Sequence, residues 1–375
     1  MELSHIPIYD HHAHALFREE IWRSAPLEPY FSEAYDPQML ARFVPDNLFF
    51  RRSLRDLAEF YGCEPSAQSL QEARQGWEYT ELSRRMFAQA NITRWLIDDG
   101  VWPDRLMGVE ESGALAGVPV RRILRLETEL AQLIPAHDSY FSLERAFVDL
   151  LYEAAPGLAG FKSIIAYRSG LEVTPPGPEV ERCYAALKRS LKPDEVPKLT
   201  EKTLLDAALW KALEVATKTG LPVQFHTGYG DPDLDLRRAN PLHLRAIFEE
   251  PRFRGLKVAL LHTYPFVRQA GYLASVYPGV YLDLGLTIPY TSVHGMRTAL
   301  HEALHLAPIS KVLFSTDAQR TPELFWLAAR WGRRVLAEVL DRTVADGDLS
   351  PAEAGWAAER ILYTNAAELY PAQWA

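Results

Sequence analysis

Three observations predict an α/β fold, a (β/α)8 or TIM barrel with a long helical insertion after its first strand. Eight short runs of β-branched and aliphatic residues, bounded by turn signals, alternate with helical patterns. Eight such units are the number that closes a parallel barrel. Histidines follow the first run, where an open doubly wound sheet would place a Gly-rich phosphate loop.

The strands are expected at residues 6–9, 92–97, 120–126, 160–167, 221–228, 257–264, 279–286 and 311–318. The second is closed by "DDG", a turn signal. Residues 200–219 carry apolar side chains at Leu205, Leu209, Leu213 and Ala216, and Gly220 followed by Pro222 should stop that helix. Further helices are expected over 242–249, 266–276 and 297–306. Another, over 322–340, opens with proline in its first turn, and a last one covers 351–369.

A minimal barrel needs roughly 250 residues, and this chain has 375. The excess falls at 15–91, a mostly helical insertion, and at 168–200, which contains the turn "EVTPPGPEV". Both leave the C-terminal ends of strands and so should cover the mouth. Residues 1–375 then form one domain, with 15–91 inserted in it.

Net charge is −9 and no basic block stands out, which argues against nucleic acid as a partner. No apolar stretch is long enough to span a bilayer, and no basic segment leads into an apolar run at the start. Cys63 and Cys183 are too few and too distant for a disulfide scaffold. Together these predict a cytoplasmic protein acting on a small molecule. Nothing opposes a homo-oligomer.

The chemistry gathers at strand ends. In "YDHHAHALF", residues 9–17, alternation puts Asp10, His12 and His14 on one face and His11 on the other. His226, His262 and Asp317 close the fifth, sixth and eighth runs. In a parallel barrel such ends converge on one rim. Four histidines and an aspartate there suit zinc or a similar divalent ion. Lys162, among Phe161, Ile164 and Ile165 on the fourth run, is either a rim lysine or an amine able to add CO2. The carbamate so formed could bridge two cations.

Arg125 and Glu127, at the end of the third run, are candidates for holding a zwitterionic substrate end, or for a salt bridge on the rim. Tyr167 and Arg168 follow the fourth run, and an arginine can grip a carboxylate at two points. Gln224 reads as a polar group of the core. His301 and His305 share a helix face, but on the outer layer. Aromatic residues of the insertion, among them Trp22, Tyr30 and Tyr35, should mostly form its own core.

The ordered set His12-x-His14, Lys162, His226, His262, Asp317 resembles the metal-dependent amidohydrolase superfamily. The segments "GFKSIIAYRSGL", "VQFHTGYGD" and "LLHTYPFVRQAGYLA" look like its amidohydrolase-2 branch, most of all the amidohydrolase half of FluG-type proteins. The resemblance implies a hydrolase acting on an amide C–N bond of a small polar substrate, such as a γ-glutamyl amide or an N-acyl amino acid. It implies two zinc ions, or one. His12, His14 and Asp317 would hold the first, His226 and His262 the second, with carbamylated Lys162 as the bridge. A metal-activated hydroxide would attack, with Asp317 as general base and then acid. A mononuclear non-oxidative decarboxylase and a non-catalytic metal- or ligand-binding module are the alternatives.

Overall fold

The structure is a computed structural model and describes residues 1–370. Eight strands form one sheet in the order of the chain: β1 (Ile8–Ala13), β2 (Ile92–Asp98), β3 (Val120–Arg125), β4 (Leu158–Ser163), β5 (Val223–His226), β6 (Val258–Leu261), β7 (Val280–Asp283) and β8 (Val312–Leu313). Every neighbouring pair is parallel. The sheet curls until the C-terminal ends of β1 and β8 meet. There the Asp317 amide donates to the His12 carbonyl at 3.1 Å, and the His14 amide donates to the Ala318 carbonyl at 2.8 Å. Because all strands run the same way, their C-terminal ends share one rim.

The helices follow the patterns of the chain. Lys202–Thr219 stops at Gly220, whose φ of 73° caps the helix in the left-handed conformation. Pro322–Ala345 begins on its proline. Between β1 and β2 lie Glu19–Ser24, Leu48–Tyr61, Ala67–Gln75 and Tyr79–Ala90. The last of these packs on Pro322–Ala345 and on β2, as a barrel helix does. Trp22, Tyr30, Phe31, Phe49 and Phe50 are buried in the apolar core. No helix among the described residues is long and apolar enough to cross a membrane.

Inside the curled sheet, Tyr9, Leu96, Ile123, Ala159, Ala259, Leu261 and Leu313 pack with Leu369 and Tyr370. Leu369 and Tyr370 thus plug the floor, opposite the rim. The Tyr370 hydroxyl accepts from Gln224 Nε2 at 3.0 Å and lies 3.2 Å from His11 Nδ1.

One turn at the rim tolerates no side chain. Gly228, just past β5, has φ 70°, and a Cβ there would lie 2.2 Å from the Tyr264 carbonyl oxygen. Gly228→Ala combines a left-handed backbone with overpacking, so it should cost roughly 2–4 kcal/mol. A urea melt should show a clearly lower midpoint at unchanged slope. An unshifted midpoint would mean that the Tyr264 turn yields freely.

Candidate metal centre

β1 continues through the histidine cluster, and its residues are buried throughout. His12 and His14 point toward the axis as alternation requires. His11 turns down to Tyr370 and to Asp283, whose Oδ1 lies 3.1 Å from its Nε2. Asp10 does not join the cluster. Its carboxylate accepts from the amide and hydroxyl of Thr316, at 2.9 and 2.5 Å, and so holds the loop that presents Asp317.

The hydrogen bonds fix which nitrogen of each ring is free. Gln224 Nε2 donates to the His11 carbonyl at 2.7 Å, which leaves Gln224 Oε1 to accept from His12 Nδ1 at 2.8 Å. His14 Nδ1 donates to the Asp98 carbonyl at 2.9 Å. Both Nε2 atoms therefore carry lone pairs, and both face Asp317 Oδ1, at 3.1 and 3.7 Å. That oxygen is buried and has no hydrogen-bond donor. Two imidazole lone pairs and a carboxylate, all within 4.8 Å of one another, repel unless a cation or a proton sits between them. The donor set fits a divalent ion, and the carbonyl groups behind each Nδ1 are the outer partners that metal-binding histidines use.

Burial dominates the electrostatics. It pushes His12, His226 and His262 well below the usual histidine range and His14 down to about 4. It also raises the Asp317 carboxyl, against the pull of Lys162, and lowers the Lys162 amine to about 8. Lys162 Nζ lies 3.4 Å from His12 Nε2.

His262 follows β6 with φ 69°, which brings its Nδ1 to 3.6 Å from Asp317 Oδ2 and 3.3 Å from the Gly285 carbonyl. His226 lines the same cavity, its ring tilted against those of Tyr167 and His262 with centroids 4.3 and 4.5 Å away. Its Nε2 is 3.1 Å from the Tyr229 carbonyl, turned from the cluster. Only His12, His14 and Asp317 converge as a ligand group among the described residues.

The centre lies in a cavity of 710 Å³ at the rim, which Tyr167, Arg168 and Arg125 also line. Arg125 does not pair with Glu127. Its guanidinium makes a two-point contact with Asp98, the closest approach being 2.6 Å. Arg125, His14 and Lys162 together overcome burial and hold Asp98 down to about 2. Glu127 is not part of the lining. β3 ends at Arg125 and a helix starts at Leu126, so strand alternation no longer applies. The Glu127 carboxylate accepts from the Ser163 hydroxyl at 2.6 Å and the Ile164 amide at 3.0 Å. Asp98, Glu33, Trp102 and Arg320 belong to the site without having been singled out in the sequence. Asp98 had a signal: a carboxylate ending an apolar run, as Asp317 does.

A family model described as amidohydrolase matches residues 165–372. FluG of Emericella nidulans is 32% identical over 399 residues, which cover 97% of this chain and 45% of FluG. The chain thus spans about half the length of that curated relative. A crystal structure from Lactobacillus casei ATCC 334, provisionally assigned as a metal-dependent hydrolase, is 31% identical with a TM-score of 0.85, covering 98% of this chain and 96% of that one. A uronate isomerase of Thermotoga maritima matches at TM-score 0.64 and 14% identity over 98% and 95% of the two chains, a likeness of fold alone.

Proposed function

The chain belongs to the Amidohydro_2 family of amidohydrolases, and on that premise we propose that it hydrolyses an amide C–N bond of a small polar substrate above His12, His14 and Asp317. The observation that carries this reading is the buried, donorless Asp317 Oδ1 facing two imidazole lone pairs. A divalent ion bound there, zinc by the chemistry of the donors, supplies a Lewis acid for the carbonyl and makes water more acidic.

The protein's own groups do the rest. Asp317 takes a proton from the attacking water and returns it to the leaving nitrogen. Asp98 and Gln224 keep the two histidines in the tautomer that points Nε2 inward. His262, beside Asp317 Oδ2, and His226 serve a second ion or the substrate carbonyl. Neutral Lys162 can add CO2, forming an N–C bond and releasing a proton, and the resulting carbamate can be shared by two ions. Tyr167, Arg168 and Arg125 face the substrate. Residues 15–91, read as an insertion within one domain, contribute Glu33 and Tyr35 to the wall. γ-Glutamyl amides and N-acyl amino acids are the substrates of choice. Two free cysteines suit the cytoplasm.

The turn of His226 Nε2 toward Tyr229 favours a second reading, a one-ion lyase that decarboxylates without oxidation. Counting metal in the purified protein while screening amides separates the two. The hydrolase should hold two ions per chain and release amine from a γ-glutamyl amide. One ion per chain with CO2 release from a carboxylic acid, and no amine from any amide, would replace it with the lyase.

A further inference from the structure

Several arginines of the cavity have no carboxylate in ion-pair contact. Arg105, Arg125, Lys162, Arg168 and Arg320 line it. Arg125 is committed to Asp98 and Lys162 to the metal centre. Asp233 pairs with Lys198 at 2.7 Å, and Asp231 accepts from the Tyr35 hydroxyl and from the Asp233 amide. Among the described residues, Arg105, Arg168 and Arg320 form no ion pair at all.

Arg320 is held in place at a cost. Its φ is 73°, a left-handed conformation that a bulky side chain avoids. Its amide donates to the Ala15 carbonyl at 3.1 Å, and its carbonyl accepts from Phe17 at 2.8 Å, which pins it to the end of β1. The guanidinium lies 4.2 Å over the Trp102 ring and donates to the Pro29 carbonyl at 3.3 Å. Glu33 attracts it from beyond ion-pair distance, while Arg105 repels it. Two like charges that repel each other and lack a carboxylate in direct contact are relieved by an anion, and a planar fork of N–H groups fits a carboxylate.

We propose that Arg320, Arg105 and Arg168 form a carboxylate subsite at the cavity mouth, so that the substrate is a small molecule with a free carboxylate remote from the bond that reacts. This rests on the reading of the cavity as the substrate site. The arginines stand on loops after β8, β2 and β4, above a centre built from strand ends, and Arg105 is exposed while the other two are half-buried.

The test uses succinate and its neutral counterpart succinamide, titrated calorimetrically into the full chain stripped of metal by a chelator, so that no ion can bind the carboxylate. Succinate should bind at least tenfold tighter than succinamide, and more weakly as salt rises. Arg168→Met and Arg320→Met should each weaken it roughly tenfold to a hundredfold, the range for hydrogen bonds to charged groups. Arg320 also supports Trp102, so Arg105→Met and Arg168→Lys serve if Arg320→Met fails to fold. The first should weaken succinate, and the second should fall between Met and wild type. Equal affinity for the two probes, or an unchanged succinate affinity in Arg105→Met and Arg168→Met, overturns the subsite. Turnover of an uncharged amide by a protein that ignores succinate would remove the subsite and leave the hydrolase standing. Succinate binding with no amide turnover would do the reverse.

Discussion

Asp317→Asn should lower kcat/KM by about 10²–10⁴, the range for losing a positioned acid–base group, while the fold survives. The backbone of Asp317 is held by its own amide on the His12 carbonyl, and the neighbouring Thr316 by Asp10. Neither contact uses the Asp317 side chain, so asparagine should keep the loop in place. What it removes is the negative oxygen between the lone pairs of His12 and His14. Metal content should fall with activity, since one of three gathered ligands becomes a weak neutral donor. Circular dichroism should match the wild type, and so should the melting temperature when both proteins are stripped of metal. A variant that keeps more than about a tenth of the activity on a good substrate would falsify the role of this carboxylate, because the effect asked of it is at least a hundredfold.

The second large effect is expected at Lys162. Its side chain is 2% exposed, and burial already works against its charge. Lys162→Met fills a similar volume without the amine, so the metal-free protein should be as stable as before or slightly more so, since an unfavourably buried charge is gone. Activity should nevertheless fall about a hundredfold or more, with loss of at least one ion per chain. Short carboxylic acids such as formate or acetate should restore part of it in the shorter Lys162→Ala by occupying the space of the carbamate, whereas bicarbonate alone should not. Full activity in Lys162→Met would remove both the bridge and any contact of the amine with substrate. The melting temperature matters here, because a site retained against stability is retained for what it does.

Much of the architecture was legible because apolar runs and their spacing carry it. The order and number of the strands followed from the pattern, and so did the convergence of His12, His14 and Asp317 at one end. The strand limits were less so. β1 was expected to stop at Tyr9 but runs to Ala13, since histidines here are interior side chains rather than turn formers. β6 and β8 are shorter than their apolar runs. His262 and Thr263 have φ near 69° and 60°, and Asp317 has 47°, so the chain leaves the sheet where the residues still look like strand. Left-handed backbone at a histidine or aspartate leaves no trace in a hydrophobic pattern. The same limit explains Glu127, assigned by strand alternation to a face that a helix had already turned away. Arg320 and Glu33 come from loops that only the curled sheet brings together, and neither belongs to any periodic pattern.

The path from Tyr370 through Gln224 to His12 joins residues 358 positions apart in the sequence. His12 is made long before Tyr370, so the hydroxyl beneath its supporting glutamine joins it only after all eight strands have been made. A nascent or truncated chain that stops short of Tyr370 possesses every candidate ligand but lacks the floor that steadies them. Cutting the chain between Asp317 and Tyr370 should therefore leave the candidate ligands in place but weaken their hold on an ion.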